Sequence, residues 1–258
     1  MKDKNVLAPG RGASHEKGRV ARAKSRSWPA RGGLGERGAL RVGETMFSKH
    51  DLETVREAVR AAERRTRGEI VPMVVPASAR YREASHLAGL IVALVVLSGL
   101  LTLEYGWGPH EWAAAHPGWM VLGVVFAYVA GHAAGTVPAC VRLLTSHERM
   151  ATKVRLRAER AFYEHGLHKT REATGVLIML SLLERQVQVL ADRAINERVS
   201  SGTWDRLVQD LVQGIHDGRA SAALCAAINA CGDLLAQHFP AREGDNPNEL
   251  ADEIIRDR

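Results

Sequence analysis

Two long stretches without a charge constrain the fold of this chain more than any other feature. The first, Leu87 to Leu103, has 17 residues, and the second, Trp119 to Val141, has 23. A helix rises about 1.5 Å per residue, so the second stretch can cross a hydrocarbon core of about 30 Å and the first can just do so. Neither stretch shows a polar face. The pattern predicts a transmembrane helical hairpin and disfavours the alternative, a pair of buried core helices.

The basic residues around the two stretches predict the orientation of the hairpin. They lie before the first stretch and after the second: Arg80, Arg82, Arg142, Arg149 and Lys153. The connection 104–118 contains no Lys or Arg, and its Tyr105 and Trp107 are typical interfacial anchors. The positive-inside bias therefore predicts an external loop at 104–118 and a multi-pass protein of the inner (plasma) membrane, with both termini cytoplasmic and the lipid bilayer as a partner.

Small and polar residues in the second stretch suggest how the hairpin packs. Gly131, Ala134 and Gly135 would allow close helix contact. His132 is the readily titratable side chain in mid-membrane, and we interpret it as a hydrogen-bonded packing residue in the hairpin interface. A proton relay, or a transport role in an oligomeric hairpin around His132, is the alternative.

The basic character of the chain belongs to its first 45 residues. The formal charge of the whole chain is +6, but residues 1–45 carry 11 Lys and Arg against 4 Asp and Glu, so the remainder is close to neutral. This Gly- and Arg-rich segment lacks apolar periodicity and is predicted to be a disordered tail. It is either a genuine basic arm for nucleic acid or an anionic membrane surface, or upstream sequence before a start at Met46. Elsewhere nucleic acid is not an expected partner.

Hydrophobic periodicity on both sides of the hairpin predicts a small α/β domain in two pieces. Ser48 and Asp51 have capping-box spacing before a helix that ends near Arg67 and Gly68. The other predicted elements are a strand Glu69 to Val75 with Pro72 at an edge or bulge, a helix His147 to about His168, strands Gly175 to Leu183 and Gln186 to Leu190, a helix starting at the cap Thr203 and ending at Gly218, and a helix Ala220 to Phe239.

The order of these elements fixes the expected domain organisation. Neither piece can cover a sheet alone, so residues 46–83 and 145–239 should form one cytoplasmic domain, with transmembrane helices at 87–103 and 119–141 inserted into it. A polar tail follows at 240–258, with a short helix after Asn248. The predicted fold class is α/β: a small mixed sheet flanked by helices and interrupted by a two-helix transmembrane hairpin.

Several segments, taken together, resemble a known family. They are RTRGEIVPMVV, ATGVLIMLSLLERQVQVLAD, SGTWDRLV and HFPAREGDNPNEL, in this order around an intervening hydrophobic segment. The combination resembles the TPM-domain family, in particular its bacterial membrane-protein branch of unknown function, from about Ser48 to Glu253. The resemblance implies an α/β sandwich with a small central sheet. Some family members are described as acid phosphatases or photosystem repair factors with metal-binding acidic loops, but the Gly-rich loop of those members is replaced here by VLADRAINERV.

The strand junction and its surroundings supply the candidate site residues. Glu184 and Arg185 are interpreted as a polar hairpin turn. The alternative is that Glu184 and Asp192, about 26 Å apart at the two ends of the outer strand, contribute with Glu69 and Asp205 to surfaces that recognise a partner or a metal. Asp192 with Asn196 or Asp205 is the geometrically open combination. We expect no cofactor, with a divalent cation as the alternative.

Other residues capable of metal binding or catalysis are weaker candidates. His147, Glu148, His165 and His168 are interpreted as solvated helix termini, and Trp204 as a packing residue. Cys140, Cys225 and Cys231 are too scattered for a zinc framework and should be reduced thiols. The function predicted from these observations is a membrane-anchored interaction or assembly module with an unknown protein partner and unknown oligomeric state. The alternative is a weak metal-assisted phosphatase.

Overall fold

The fold is taken from a computed structural model that describes residues 21–22, 26–27, 47–106, 118–242 and 254–256. Three expectations lie outside these residues: the start at Met46, the anchor Trp107 with the rest of the external loop, and the short helix after Asn248. The side chain of Tyr105 is also outside what the structure describes.

The described residues form eight α-helices and six strands. The helices are α1 Lys49–Glu63, α2 Arg82–Gly106, α3 Gly118–Ala134, α4 Pro138–Leu144, α5 His147–Glu164, α6 Arg193–Asn196, α7 Ser201–His216 and α8 Ala220–His238. The strands are β1 Ala21–Arg22, β2 Arg26–Ser27, β3 Glu69–Val75, β4 Gly175–Ser181, β5 Gln186–Ala191 and β6 Ile255–Arg256.

Three longer strands make the centre of a mixed sheet. β3 pairs in parallel with β4 along its whole length, from Glu69 opposite Gly175 to Val75 opposite Ser181. β4 continues into the antiparallel hairpin with β5. The predicted buried strand and its outer neighbour are therefore confirmed, with β4 in the middle. Because β3 precedes the apolar hairpin and β4 follows it, the sheet joins the two pieces of the domain.

Short strands from the two ends of the described chain extend this sheet. β1 and β2 pair antiparallel with the outer edge of β5, and β6 pairs in parallel with β3 at Met73 and Val74. Four residues of the segment predicted to be a disordered tail are therefore in strands. In the described part of the chain, β6 is the only neighbour of β3 opposite β4, which fits an edge position for Pro72 because proline has no amide to donate.

Each face of the sheet carries its own apolar core, because strand side chains alternate between the two faces. One face is covered by α1, α7 and α8, where Val59, Trp204 and Ile228 are buried with Val189 of β5. The other face is covered by α5, whose Val154, Ala158 and Phe162 pack against Met179 of β4. The packing interpretation of Trp204 is confirmed by its 1% exposure. The α/β fold class is confirmed.

Two described helices are long and apolar enough to cross a membrane, the stretch Arg82–Leu103 of α2 and the helix α8. A bent pair, α3 with α4, would be a third span. α8 places Leu224, Ile228 and Leu235 fully inside the core against α1, so its apolar character is explained by packing within the domain. The candidates left for a membrane are α2 and the bent pair.

Four predicted boundaries were wrong, one of them the end of α5, which lies at Glu164 instead of about His168. The second apolar stretch is not one helix from Trp119 to Val141, because α3 ends at Ala134 and α4 starts at Pro138, bent by 99°. Proline at a first helical position explains the new start. α1 ends at Glu63 instead of near Gly68, and α7 is capped by Ser200 instead of Thr203. The predicted capping box of Ser48 is confirmed.

Candidate functional site

A buried carboxylate lies where the sheet meets the apolar hairpin. Glu184 is 3% exposed. One oxygen of its carboxylate accepts a hydrogen bond from the amide of Ser78 at 2.9 Å and another from the hydroxyl of Tyr81 at 2.7 Å. Its other oxygen accepts from the hydroxyl of Ser181, which also bonds the Ser78 hydroxyl at 2.7 Å. Three donors from two separate segments, the β3–α2 connection and the end of β4, therefore converge on one side chain.

The local chain path explains why Glu184 points inward. β4 and β5 are joined by a turn at residues 182–185, in which Arg185 has φ 53°. The turn is held against the end of β3, because Leu182 and Leu183 donate their amides to the carbonyls of Val75 and Pro76 at 3.0 and 2.9 Å. The predicted polar turn is thus confirmed in its backbone. Its glutamate, however, is directed into the junction instead of being solvated.

The chain entering and leaving the apolar hairpin contributes to the same junction. Tyr81 immediately precedes α2, and Arg142 lies in α4 at the other end of the hairpin. The guanidinium of Arg142 donates to the carbonyl of Leu183 at 3.2 Å. Both ends of the hairpin are therefore hydrogen bonded to the β4–β5 turn, one through a side chain of the turn and the other through its backbone.

The electrostatics of the junction favour an uncharged Tyr81 as donor. Burial, and secondly the charge and hydrogen bond of Glu184, raise the pKa of Tyr81 well above its ordinary value. A neutral phenol beside a carboxylate is a charge-assisted donor throughout the physiological range. Burial lowers the pKa of Arg185, and the nearby charge of Arg142 lowers it further. The arrangement can therefore fix the turn through the side chain of Glu184, with two guanidinium groups nearby.

Gln186 is a second unusual group at this end of the sheet. It pairs with Ser181 in the β4–β5 ladder and is 0% exposed. Neither its amide nitrogen nor its carbonyl oxygen has a hydrogen-bond partner among the described residues. A buried amide without partners costs about 1–3 kcal/mol of folding free energy. Gln186 is therefore expected to destabilise the packing of the sheet face that α5 covers.

His132 faces the interior of the helical hairpin. Its ring lies 4.7 Å from the ring of His86 in α2 and 6.1 Å from that of Tyr128, one turn earlier in α3. The Nδ1 atom of His86 is 2.9 Å from the hydroxyl of Tyr128. These contacts fit the interpretation of His132 as a packing residue in the interface, although its own Nδ1 has no hydrogen-bond partner in the described residues.

The predicted acidic site residues are divided between the two ends of the sheet. Asp192 caps α6 through the amide of Arg193 at 2.6 Å and donates its own amide to the carbonyl of Gly175 at 2.9 Å. Glu69 pairs with Gly175, so it shares this end of the sheet with Asp192, whereas Glu184 lies at the opposite end. Glu184 and Asp192 therefore lie at opposite ends of β5.

The remaining candidates are also placed by the structure. The amide of Asn196 donates to the carbonyl of Ala191 at 3.0 Å, and Asp205 is a half-buried residue of α7. In the described part of the chain no group of three or more His, Cys, Asp or Glu side chains is arranged to hold a metal ion. His168 contacts the ring of Tyr163 at 5.0 Å, near the end of α5.

Sequence reasoning missed Ser78, Tyr81 and Ser181 as partners of Glu184. Ser181 carries a weak signal, because it is the one polar residue in the apolar run of β4. Ser78 and Tyr81 carry none that is specific. They lie more than 100 positions from Glu184 in sequence, so parallel pairing of β3 with β4 is needed to bring them together.

Comparisons with known proteins agree with this architecture. Residues 139–234 match the family model described as the TPM domain. This match is narrower than the resemblance from Ser48 to Glu253, but β3, which lies before it, completes the same sheet. No curated protein matches the chain.

A solved structure supports the fold. It is the NMR structure of BA42 protein from the psychrophilic bacterium Bizionia argentinensis, which matches with a TM-score of 0.50 and 17% sequence identity, over 82% of this chain and 95% of that one. At this identity the likeness concerns the fold alone. Together, the comparisons show that residues 139–234 of this chain match the TPM domain and that the chain shares the fold of this solved structure.

Proposed function

We propose that this chain is an integral membrane protein whose TPM domain lies on the cytoplasmic surface of the inner membrane and acts as an interaction module. The proposal has two parts, a membrane anchor and a docking edge on the sheet. Each part is supported by a separate observation and has its own test.

The observation that carries the proposal is the outer surface of the α2–α3 pair. The two helices pack on each other through Gly89 and Gly131, while large apolar side chains point outward. Val95, Leu122 and Phe126 are 66%, 71% and 75% exposed. An apolar surface of this size would promote aggregation in water, whereas it is well solvated by the hydrocarbon core of a membrane.

The topology of the sheet supports a location of both ends of the hairpin on the same side of the membrane. β3 and β4 pair along seven residues, although the whole apolar hairpin separates them in sequence. The turn at Glu184 is bonded to Tyr81 at the start of the hairpin and to Arg142 near its end. A hairpin that crosses the bilayer twice satisfies these contacts, and the basic flanks favour the cytoplasmic side.

The outer edge of β5 supports the interaction role. It pairs with two short strands, β1 and β2, from the basic N-terminal segment. Strand addition at a sheet edge is a common form of peptide recognition, in which main-chain hydrogen bonds supply affinity. An edge that accepts a segment of its own chain offers the same ladder to an extended segment of a partner.

Membrane extraction and peptide binding test the two parts. The anchor predicts that the full chain stays in the membrane pellet after alkaline carbonate washing and is released by detergent. The docking edge predicts that a labelled peptide covering residues 19–29 binds saturably to a variant beginning at Met46, whereas a scrambled peptide does not. Release by carbonate would refute the anchor, and equal binding of the two peptides would refute the edge.

One observation favours a second candidate, a metal-assisted phosphatase. One carboxylate oxygen of Asp192 is buried and has no hydrogen-bond partner among the described residues. A single oxygen supplies one ligand, whereas Mg²⁺ and Ca²⁺ require six or more oxygen ligands. Thermal-shift titration with calcium, magnesium, manganese and zinc, followed by phosphate-ester turnover, would detect the activity. Stabilisation and turnover that disappear in Asp192→Asn would favour this candidate over a pure interaction module.

A further inference from the structure

Exposed cations and one exposed leucine lie in the chain just before and just after the α2–α3 pair. The cations are Arg80, Arg82, Arg149 and Lys153, and the leucine is Leu143 of α4. Leu143 is 84% exposed, more than any other large apolar residue in the described part of the chain. We call these five residues the basal surface. They come from both ends of the hairpin, where α2 is in contact with α4.

The direction of α4 determines the depth of Leu143 relative to a membrane that α3 crosses. α4 is bent by 99° from α3, so if α3 crosses a bilayer, α4 lies close to parallel with the membrane plane. Its buried residues Pro138 and Val141 face the protein, and Arg142 turns toward the carbonyl of Leu183. Leu143 is left on the outer side of a short helix that starts four residues after α3 ends.

The cations of the basal surface lie within electrostatic range of this plane. Arg80 and Arg82 immediately precede or begin α2, and Arg149 is in the first turn of α5. Lys153 is six residues beyond the first residue of α5, or about 9 Å along the helix, which is about one Debye length at physiological ionic strength. If α5 starts at the membrane surface, all four cations therefore lie within reach of its charge.

The charge of the basal surface is positive. None of its four cations forms an ion pair with a described residue, whereas Arg155, Arg157 and Arg160 further along α5 pair with Glu159 and Glu164. The acidic neighbours of the basal surface are Glu83 and Glu148, which are both exposed. Four cations therefore face two anions, which leaves a net attraction for a negative surface.

We propose that the basal surface docks the domain onto anionic phospholipid, with Leu143 inserted at the headgroup boundary and the cations against the headgroups. The proposal rests on the membrane anchor described above and adds a lipid preference to it. An apolar side chain combined with basic residues at one depth is the pattern of interfacial binding, and each basic residue near an anionic surface contributes about a fivefold preference.

Spin labels in nanodiscs test this docking. The full chain carries Cys140→Ser and Cys225→Ser, while Cys231 is retained because it is fully buried. Single cysteines are then introduced at Leu143, at Phe126 on the outer face of α3, and at Ala230 on the exposed face of α8. Collision with oxygen and with a water-soluble nickel chelate reports the depth of each label. Discs contain phosphatidylcholine alone or mixed with phosphatidylglycerol.

The docking predicts that the label at Leu143 is shielded from the nickel chelate relative to Ala230, and more so in phosphatidylglycerol. Arg149→Gln with Lys153→Gln should weaken the phosphatidylglycerol-dependent population by about fivefold for each residue. The matched control is Arg206→Gln, an exposed residue of α7. Retained protection of Cys231 from thiol reagents checks that each variant is folded.

The outcomes separate this inference from the anchor on which it rests. Water-like access at Leu143 equal to that at Ala230, with Phe126 in lipid, would overturn the docking and leave the anchor intact. A phosphatidylglycerol effect that is unchanged in the double variant would also overturn it. Water-like access at Phe126 would overturn both the anchor and the docking.

Discussion

The hydroxyl of Tyr81 donates a 2.7 Å hydrogen bond to the carboxylate of Glu184, across 103 positions of sequence. The contact links the last residue before the apolar hairpin to the turn between the two strands that follow it. An ordinary β-turn would leave its charged residues in water. Here the turn is a fixed joint between the TPM domain and the helices that we propose to be its anchor.

Replacement of Glu184 should destabilise this joint. Glu184→Ala leaves the Ser78 amide and the hydroxyls of Tyr81 and Ser181 without their buried acceptor, which should lower the free energy of unfolding by about 2–4 kcal/mol. The change is measured by thermal unfolding of the detergent-solubilised protein. Glu197→Ala is the matched control, because Glu197 is exposed and its ion pair with Arg193 is on the surface. Equal melting temperatures for the two variants would contradict the assignment.

Tyr81 should give the joint a distinctive dependence on alkaline pH. The folded state holds the pKa of Tyr81 above the ordinary value of about 10, so the unfolded chain loses this proton first as the pH rises. Below pH 10 the contribution is fully present, and it falls progressively above that pH. The difference in melting temperature between the native protein and Tyr81→Phe should therefore shrink as the pH rises from about 10 to about 12, within about two units above the ordinary pKa. A constant difference would argue against the raised pKa.

The helix contact at Gly135 should tolerate no side chain. A Cβ atom at this position would lie 2.7 Å from the Cα atom of Ser85, a backbone atom of α2. Gly135→Ala should therefore reduce stability by about 1–3 kcal/mol through overpacking. Gly99→Ala is the control, since a Cβ atom there would meet no atom within 4 Å. Comparison of the two melting temperatures in detergent checks the prediction, and similar values would show that the helices separate easily at Gly135.

Removal of the polar side chain at Gln186 should stabilise the domain. The amide of Gln186 is buried without a partner in the described residues, and methionine matches its length without that desolvation cost. Gln186→Met should therefore raise the free energy of unfolding by about 1–2 kcal/mol. Gln188→Met serves as the comparison, because the amide of Gln188 donates to the carbonyl of Val189 at 3.3 Å. A loss of stability in Gln186→Met would indicate that its amide has a partner in the folded protein.

Elements dictated by local pattern were predictable from the sequence. The seven residues of β3 match the predicted strand, and β4 and β5 differ from theirs by two residues or fewer. The capping box at Ser48 follows from a three-residue spacing alone. Gly218 ends α7 in the left-handed conformation, with φ 81°, as its position suggested. In each case the cause lies within a few residues of the effect.

Features set by tertiary contact were not predictable in the same way. Glycine is a common helix terminator, but Gly68 does not end α1. It allows the side chain of Leu235 to pack closely, because a Cβ atom at Gly68 would lie 2.8 Å from Leu235. The apolar character of residues 119–141 also predicted one helix where the structure has two, because composition alone does not reveal the break before Pro138. The partners of Glu184 depend on strand pairing across the hairpin, which the position of Glu184 at a turn does not reveal.

The most direct test of the central claim is the accessibility of single cysteines to a membrane-impermeant maleimide in spheroplasts of a bacterial host. The variants carry one cysteine at Ala113 in the connection 104–118 or at Ala230 in α8, with Cys140 and Cys225 replaced by serine and the buried Cys231 retained. The proposal predicts that Ala113→Cys reacts in intact spheroplasts and that Ala230→Cys reacts only after lysis. Reaction of Ala230→Cys in intact spheroplasts, or protection of Ala113→Cys until lysis, would contradict a hairpin that crosses the membrane with its domain in the cytoplasm.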